Sequence, residues 1–240
     1  MTAYSECRPT RDIDLAAFND LFSVAGCEKR IRDIASISLE DGLLFDLNSI
    51  SGETIRDRSV NRGVRVSLAV NLAKANINFH IDMNYGDPIK PEPVSAALPL
   101  LLGGGIEVLA YPVTMLLVEK IVTILDRGTA NTRWRDFLDI LSISQELAVD
   151  GNDLMLSIET VSTYRSVELK QISIVLDGIE RISQAKWSSW RKRQRLEDLS
   201  PDNLADLVDK LDAFASPAIN GLVKGKVWDP VNQAWGRQAS

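Results

Sequence analysis

The sequence is poor in the residues on which several common chemistries depend. Its 240 residues include two cysteines, Cys7 and Cys27, and one histidine, His80. A Cys/His zinc site needs four ligands at close spacing, and these three residues do not provide them. A lone histidine also argues against Ser-His-Asp or Cys-His nucleophilic catalysis. Cationic excess is missing: 27 Lys and Arg stand against 33 Asp and Glu, giving a net charge of −6 and a pI near 5.0. Contact with nucleic acid must then come from a local patch rather than a global field. No charged segment followed by an apolar core opens the chain, so a secretory signal is not expected. The most apolar stretch, Val94 to Leu125, is broken by Pro99, Gly103-Gly104-Gly105, Glu107 and Pro112 and does not read as a membrane span. Repeats and low-complexity tracts are absent. What remains is an ordinary globular composition, 45% hydrophobic and 25% charged, long enough for one large domain or two small ones. A reducing, cytoplasmic location is the expectation.

Periodicity divides the chain. Val64 to Leu72 and Ile77 to Met83 alternate with a period of two and predict strands joined by Asn71 to Asn76. On the second strand Ile77, Phe79, Ile81 and Met83 share one face, and Asn78, His80 and Asp82 the other. Arg30 to Asn48, with Ile34, Ile37 and Leu39, suggests a short strand or turn-rich piece. Gly86 to Pro93 reads as a proline-rich loop, and Ile106 to Tyr111 as another strand. After Pro112 the period becomes helical: Val113 to Arg127, a connection over Gly128 to Thr132, then Arg133 to Leu147. From Asn152 onward nearly everything reads as helix: Leu154 to Arg165, Val167 to Lys186, and Ser200 to Ala215. Ser200 serves as N-cap of the last, Pro201 as its first residue and Pro217 as its end. Strands early and helices late predict an α+β protein: a mixed-sheet domain over 1–112 and a helical domain over 113–240.

Four places carry candidate chemistry. In Asp12-Ile13-Asp14-Leu15, a strand puts Asp12 and Asp14 on one face, about 6–7 Å apart along the chain. Such a pair can hold hard divalent cations such as Mg²⁺; a solvated edge strand is the plainer alternative. Asp82, on the polar side of its strand, is either a third carboxylate for that cluster or a cap for the turn at Asn84 to Asp87. Lys120 falls among Val113, Leu116, Leu117 and Ile124 on its helix, so it either snorkels or meets a buried anion. Asp136 lies similarly with Ile140, Ile143 and Leu147, while Asp139 falls with Arg135 and Glu146 on the wet side. A Lys120–Asp136 contact satisfies both charges, as a structural ion pair or as an active-site pair. Finally, Lys186-Trp187-Ser188-Ser189-Trp190-Arg191-Lys192-Arg193-Gln194-Arg195 concentrates five cations and two indoles. Cations meet phosphates and rings stack on unpaired bases; a helix end with core-packed tryptophans and a solvated tail is the alternative.

These pieces together resemble the AbiEii/AbiGii-type (MenA-type) nucleotidyltransferase toxins of bacterial toxin–antitoxin and phage-defence systems. Arg8-Pro9-Thr10-Arg11-Asp12-Ile13-Asp14-Leu15 is similar to the family's Arg-x-Thr-x-Asp-Ile-Asp-Leu. Phe79-His80-Ile81-Asp82 with Gly86-Asp87 follows, then Tyr111-Pro112 leading to Glu119-Lys120. Arg133 to Ile140 matches Arg-x-Lys-Asp-x-x-Asp-Leu. The resemblance implies a polymerase-β-like core followed by a helical half, and transfer of a nucleotide from a nucleoside triphosphate to an acceptor. That acceptor is expected to be the 3′ end of tRNA, with a block of translation. By motif, the catalytic set falls on Asp12, Asp14, Lys120 and Asp136. The metal set falls on Asp12, Asp14 and, as third carboxylate, Asp82, with Mg²⁺ as cofactor and a cognate antitoxin as partner. Lys186, Trp187, Trp190, Arg191, Lys192, Arg193 and Arg195 are the expected nucleic-acid contacts. The family's Gly-Gly or Gly-Ser strand–helix start is not found in the eleven residues before Asp12. An inactive relative that binds RNA or protein, and a small-molecule nucleotidyltransferase, are the competing expectations.

Overall fold

Alternating apolar residues at Val64, Val66 and Leu68 build the first sheet. A computed structural model of the chain describes residues 12–17, 23–56, 62–100 and 103–237. The segment Arg8-Pro9-Thr10-Arg11 lies outside them. The chain forms two units, Arg8–Asp87 and one that includes Pro88–Ser240.

In the first unit, β1 (Asp12–Ala17), β2 (Leu43–Arg56), β3 (Arg62–Leu72) and β4 (Ala75–Tyr85) form a four-stranded sheet ordered β1-β4-β3-β2. β1 runs parallel to β4, and the other pairs are antiparallel, so the sheet is mixed. The β3–β4 hairpin turns at Ala73-Lys74, inside the predicted connection. α1 (Val24–Ala35) packs on one face, where Cys27 and Ile31 join Ile50, Val64, Val66, Leu68, Ile81 and Met83 in a core. Each such side chain contributes about 1.5–3 kcal/mol on burial. Ser23 caps α1 by accepting from the Gly26 N–H at 3.0 Å. Gly52 lets β2 pass close beneath it: a Cβ there would lie 2.8 Å from Val24 Cγ1. Of the strand or turn-rich piece expected over Arg30 to Asn48, Arg30 to Ala35 is instead the end of α1, while turns and the start of β2 make up the rest. Ile34, Ile37 and Leu39, which suggested it, are all exposed.

The second unit begins earlier than the expected boundary near 112. Ile89 packs against the helical core, and Ser157 Oγ donates to the Lys90 carbonyl at 2.7 Å. It opens with an antiparallel hairpin of β5 (Val94–Pro99) and β6 (Gly105–Ala110). α2 (Val113–Arg127) has the predicted bounds, and α3 (Trp134–Glu146) and α4 (Gly151–Arg165) differ by a few residues. The helix expected over Val167 to Lys186 is instead a short α5 (Ile172–Val175) and α6 (Ile179–Gln194). Gly178, at φ +73°, turns the chain between them. α7 (Leu204–Ile219) starts at N-cap Asn203, not Ser200, and Pro217 lies inside its last turn rather than ending it. Ser200 is engaged instead by Arg191. β8 (Lys226–Asp229) and β9 (Ala234–Arg237), unforeseen, form a small sheet with β7 (Val149–Asp150). Trp228 anchors it, donating to the Ser144 carbonyl at 2.7 Å and meeting the Phe214 ring edge-on at 4.9 Å. Among the described residues no helix is long and apolar enough to cross a membrane.

Candidate functional site

The register of the first sheet places the sequence-predicted carboxylates. Because β1 and β4 are parallel, Asp14 stands opposite Asp82 and position 12 opposite His80. Ile81 and Met83 face α1, so strand alternation puts Asp82 and His80 on the other face, together with Asp14. Asp82 is opposite Arg65 on β3. Arg65 donates from Nε to Oδ1 at 2.7 Å and from the guanidinium NH2 to Oδ2 at 2.6 Å, a bidentate, partly buried pair. His80 Nδ1 lies 2.9 Å from Ser67 Oγ. The side chain of Asp12 lies outside the described residues. Asp14 is exposed and has an interaction of its own. Among the described residues no group of three or more His, Cys, Asp or Glu could hold a metal ion; the carboxylate oxygens of Asp14 and Asp82 are of the kind that suits a hard divalent cation better than a soft one. Asp82 would share its oxygens with Arg65 in that role. Sequence reasoning missed Arg65; the polar face of the Val64 to Leu72 alternation was its signal.

In the second unit, Lys120 of α2 meets two carboxylates of α3. Its ammonium donates to Asp139 Oδ2 at 2.8 Å and lies 3.6 Å from Asp136 Oδ1. Arg133 Nε stands 2.7 Å from Asp136 Oδ2, without the alignment of a hydrogen bond. Two cations and two carboxylates thus alternate, Arg133–Asp136–Lys120–Asp139, and balance. The Lys120–Asp136 approach is present, but the tighter partner is Asp139. That residue is 8% exposed, so its expected place on the wet side is corrected. Residues three apart are neighbours on a helix, and both reach α2. The second Asp of Asp-x-x-Asp was the signal available. Glu119, next to Lys120, pairs with Arg165, which also donates to Thr123 Oγ1 at 3.1 Å.

α6 splits the cationic tryptophan segment into two faces. Trp187 is 0% exposed, and its Nε1 donates to the Pro201 carbonyl at 3.0 Å. Arg191 is 4% exposed. It donates to Ser200 Oγ at 2.7 Å, Asp202 Oδ1 at 2.6 Å and the Glu197 and Ser200 carbonyls at 2.7 and 2.8 Å. Its guanidinium lies 5.7 Å from the centre of the Trp187 ring. Both residues are therefore structural and out of reach of RNA, which corrects their expected role: they clamp the chain from Leu196 to Asp202 onto the helix. Lys186, Lys192, Arg193 and Arg195 are exposed, and Trp190 is half-buried. Lys186, Ser189, Trp190 and Arg193, with Thr132 and Trp134, line an open groove of about 480 Å³.

A family model described as "Nucleotidyl transferase AbiEii toxin, Type IV TA system" matches residues 2–215. No curated protein matches the sequence. Among solved structures, the crystal structure of JHP933 from Helicobacter pylori is similar, with a TM-score of 0.50 and 13% identity over 93% of this chain and 83% of that one. At that identity the likeness speaks to fold alone.

Proposed function

Because the chain belongs to the AbiEii nucleotidyl transferase toxin family, we propose that it transfers a nucleotide from a nucleoside triphosphate to the 3′ end of tRNA and so blocks translation. The observation that carries this reading is the parallel register of Asp14 with Asp82, with Asp12 two residues earlier on the same strand. The family resemblance implies a polymerase-β-like arrangement for these carboxylates. In the transfer, the acceptor 3′-oxygen bonds to the α-phosphorus while the bond to pyrophosphate breaks. Asp12 and Asp14 would hold a divalent cation, Mg²⁺, with Asp82 as third carboxylate; the ion would supply positive charge against the triphosphate and acidify the acceptor hydroxyl. The family motif also assigns Asp136 and Lys120 to the catalytic set, Lys120 as a source of positive charge. Asp136 and Asp139 fix its ammonium, Asp139 as a positioning residue. The exposed α6 cations Lys186, Lys192, Arg193 and Arg195 hold the RNA backbone. An antitoxin is the expected cellular partner, and the cytoplasm the expected compartment.

The test is incubation with total tRNA, Mg²⁺ and each labelled triphosphate in turn. Label is expected in tRNA and is expected to vanish in Asp12→Ala, Asp14→Ala and Lys120→Ala with circular dichroism unchanged. Label in a small acceptor but never in RNA, or transfer retained by those variants, would refute the assignment.

A further inference from the structure

On α6, residues 186, 190 and 193 are spaced i, i+4 and i+7 and so share a face apart from buried 187 and 191. Trp190 is the outermost ring of a series. Trp134 meets Trp187 edge-on at 6.0 Å, and Trp187 stacks on Trp190 at 5.6 Å with 19° between planes. The inner rings lie in the core, while Trp190 is half-buried and lines the groove. Lys186 is one turn before it and Arg193 one turn after. Neither has an ion-pair or hydrogen-bond partner among the described residues, although the chain as a whole is acidic and Arg191 beside them is fully satisfied. Two uncompensated cations therefore flank an aromatic surface, with the hydroxyls of Ser189 and Thr132 on the same groove.

We propose that this groove takes one unpaired ribonucleotide of a single-stranded RNA. The base stacks on Trp190, and its two flanking phosphates meet Lys186 and Arg193. The order cation–ring–cation on the helix complements the order phosphate–base–phosphate along a strand. A groove of about 480 Å³ is within the usual size for one small ligand. Stacking accepts any base, and the hydroxyls supply partners for base edges or the ribose 2′-OH. An apolar peptide would leave both cations unpaired. The inference rests on RNA being the acceptor and specifies how RNA is gripped.

The experiment measures binding of fluorescein-labelled decauridine by anisotropy, using the full chain in EDTA without triphosphate, so that catalysis plays no part. Trp190→Leu is expected to weaken binding about tenfold or more. Lys186→Ser with Arg193→Ser is expected to lower the slope of log affinity against log salt by about 1.4, roughly 0.7 for each lost phosphate contact. Ser189→Trp, which fills the groove and keeps both charges, covers the case in which Trp190→Leu fails to fold, and should weaken binding similarly. The proposal falls if wild-type protein does not bind decauridine, or if the folded variants bind within twofold of wild type with an unchanged salt slope. Binding without nucleotide transfer would leave the groove standing and remove the transferase reading. Transfer to tRNA with unaltered groove variants would do the reverse.

Discussion

Removing the Asp139 carboxylate should loosen Lys120 and destabilise the helical unit more than removing Asp136 does. At an effective dielectric of about 20, an ion pair at 2.8 Å gains about 6 kcal/mol of gross attraction and one at 3.6 Å about 4.6 kcal/mol. Asp136 is moreover paired with Arg133 at 2.7 Å, whereas the Lys120 ammonium comes closer to Asp139 than to Asp136. Breaking a buried pair costs about 3–5 kcal/mol when the remaining charge is stranded. In Asp139→Ala, Lys120 keeps Asp136 nearby, so the cost should fall to about 2–3 kcal/mol. In a unit of this size that lowers Tm by roughly 5–10 °C. A cycle of Asp139→Ala with Lys120→Met should give a coupling of about 1.5–2 kcal/mol. Urea titration followed by tryptophan fluorescence reads this unit selectively, because all five tryptophans, at 134, 187, 190, 228 and 235, lie within Pro88–Ser240. A coupling under about 0.5 kcal/mol, or a larger one for Asp136→Ala with Lys120→Met, would refute the account of which carboxylate holds the ammonium.

Three other outcomes follow from the same structure. Arg191→Ala should cost about 2–4 kcal/mol by stripping donors from the Glu197 and Ser200 carbonyls, and Arg191→Lys should recover less than half; fluorescence-detected urea midpoints check this, and equal stability of the three proteins would contradict the clamp. Gly52→Ala should cost about 1–2 kcal/mol, since its Cβ meets the stiff Val24 side chain at 2.8 Å; unaltered hydrogen-exchange protection of α1 amides would show that the helix simply shifts away. The amide of Asn232 and the backbone N–H groups of Asn232 and Val231 hold the Asp229 carboxyl below the usual carboxylate range. A depressed value stabilises the fold above the unfolded pKa and is lost as pH falls through the folded one. Protection of the Val231 and Asn232 amides should thus drop only below about pH 3.8, and Asp229→Asn should abolish that dependence; identical acid profiles would overturn it.

The elements that declared themselves in the sequence are those whose periodicity coincides with burial. β3 and β4 alternate because one face is dry, and α2 has apolar residues on most of its surface because most of it is buried. α1 is hidden: only Cys27 and Ile31 are buried, while its own Ile34 and the following Ile37 and Leu39 are exposed. The strands β8 and β9 are four residues each, too short for a period, and depend on Trp228 and Trp235 packing against Phe214. At the site, composition flagged Lys186 to Arg195 correctly as unusual but treated its two faces as one. The i, i+4 spacing of Trp187 and Arg191 separates them from Lys186, Trp190 and Arg193. Lys120 was legible as a charge on an apolar stripe. Its choice of Asp139 over Asp136 depends on how α2 and α3 pack, which no single-helix wheel contains.

Among the described residues, β1 pairs with β4 alone, through six residues, and Ile13 and Leu15 on it stay 47% and 45% exposed. Among the described residues, the strand bearing Asp12 and Asp14 is thus moored through β4. Its grip comes second-hand, from a neighbour that Arg65 ties to β3 through Asp82. Fraying there would part Asp14 from Asp82 while the remaining three strands and α1 stayed folded, so this register can be lost well before the unit melts.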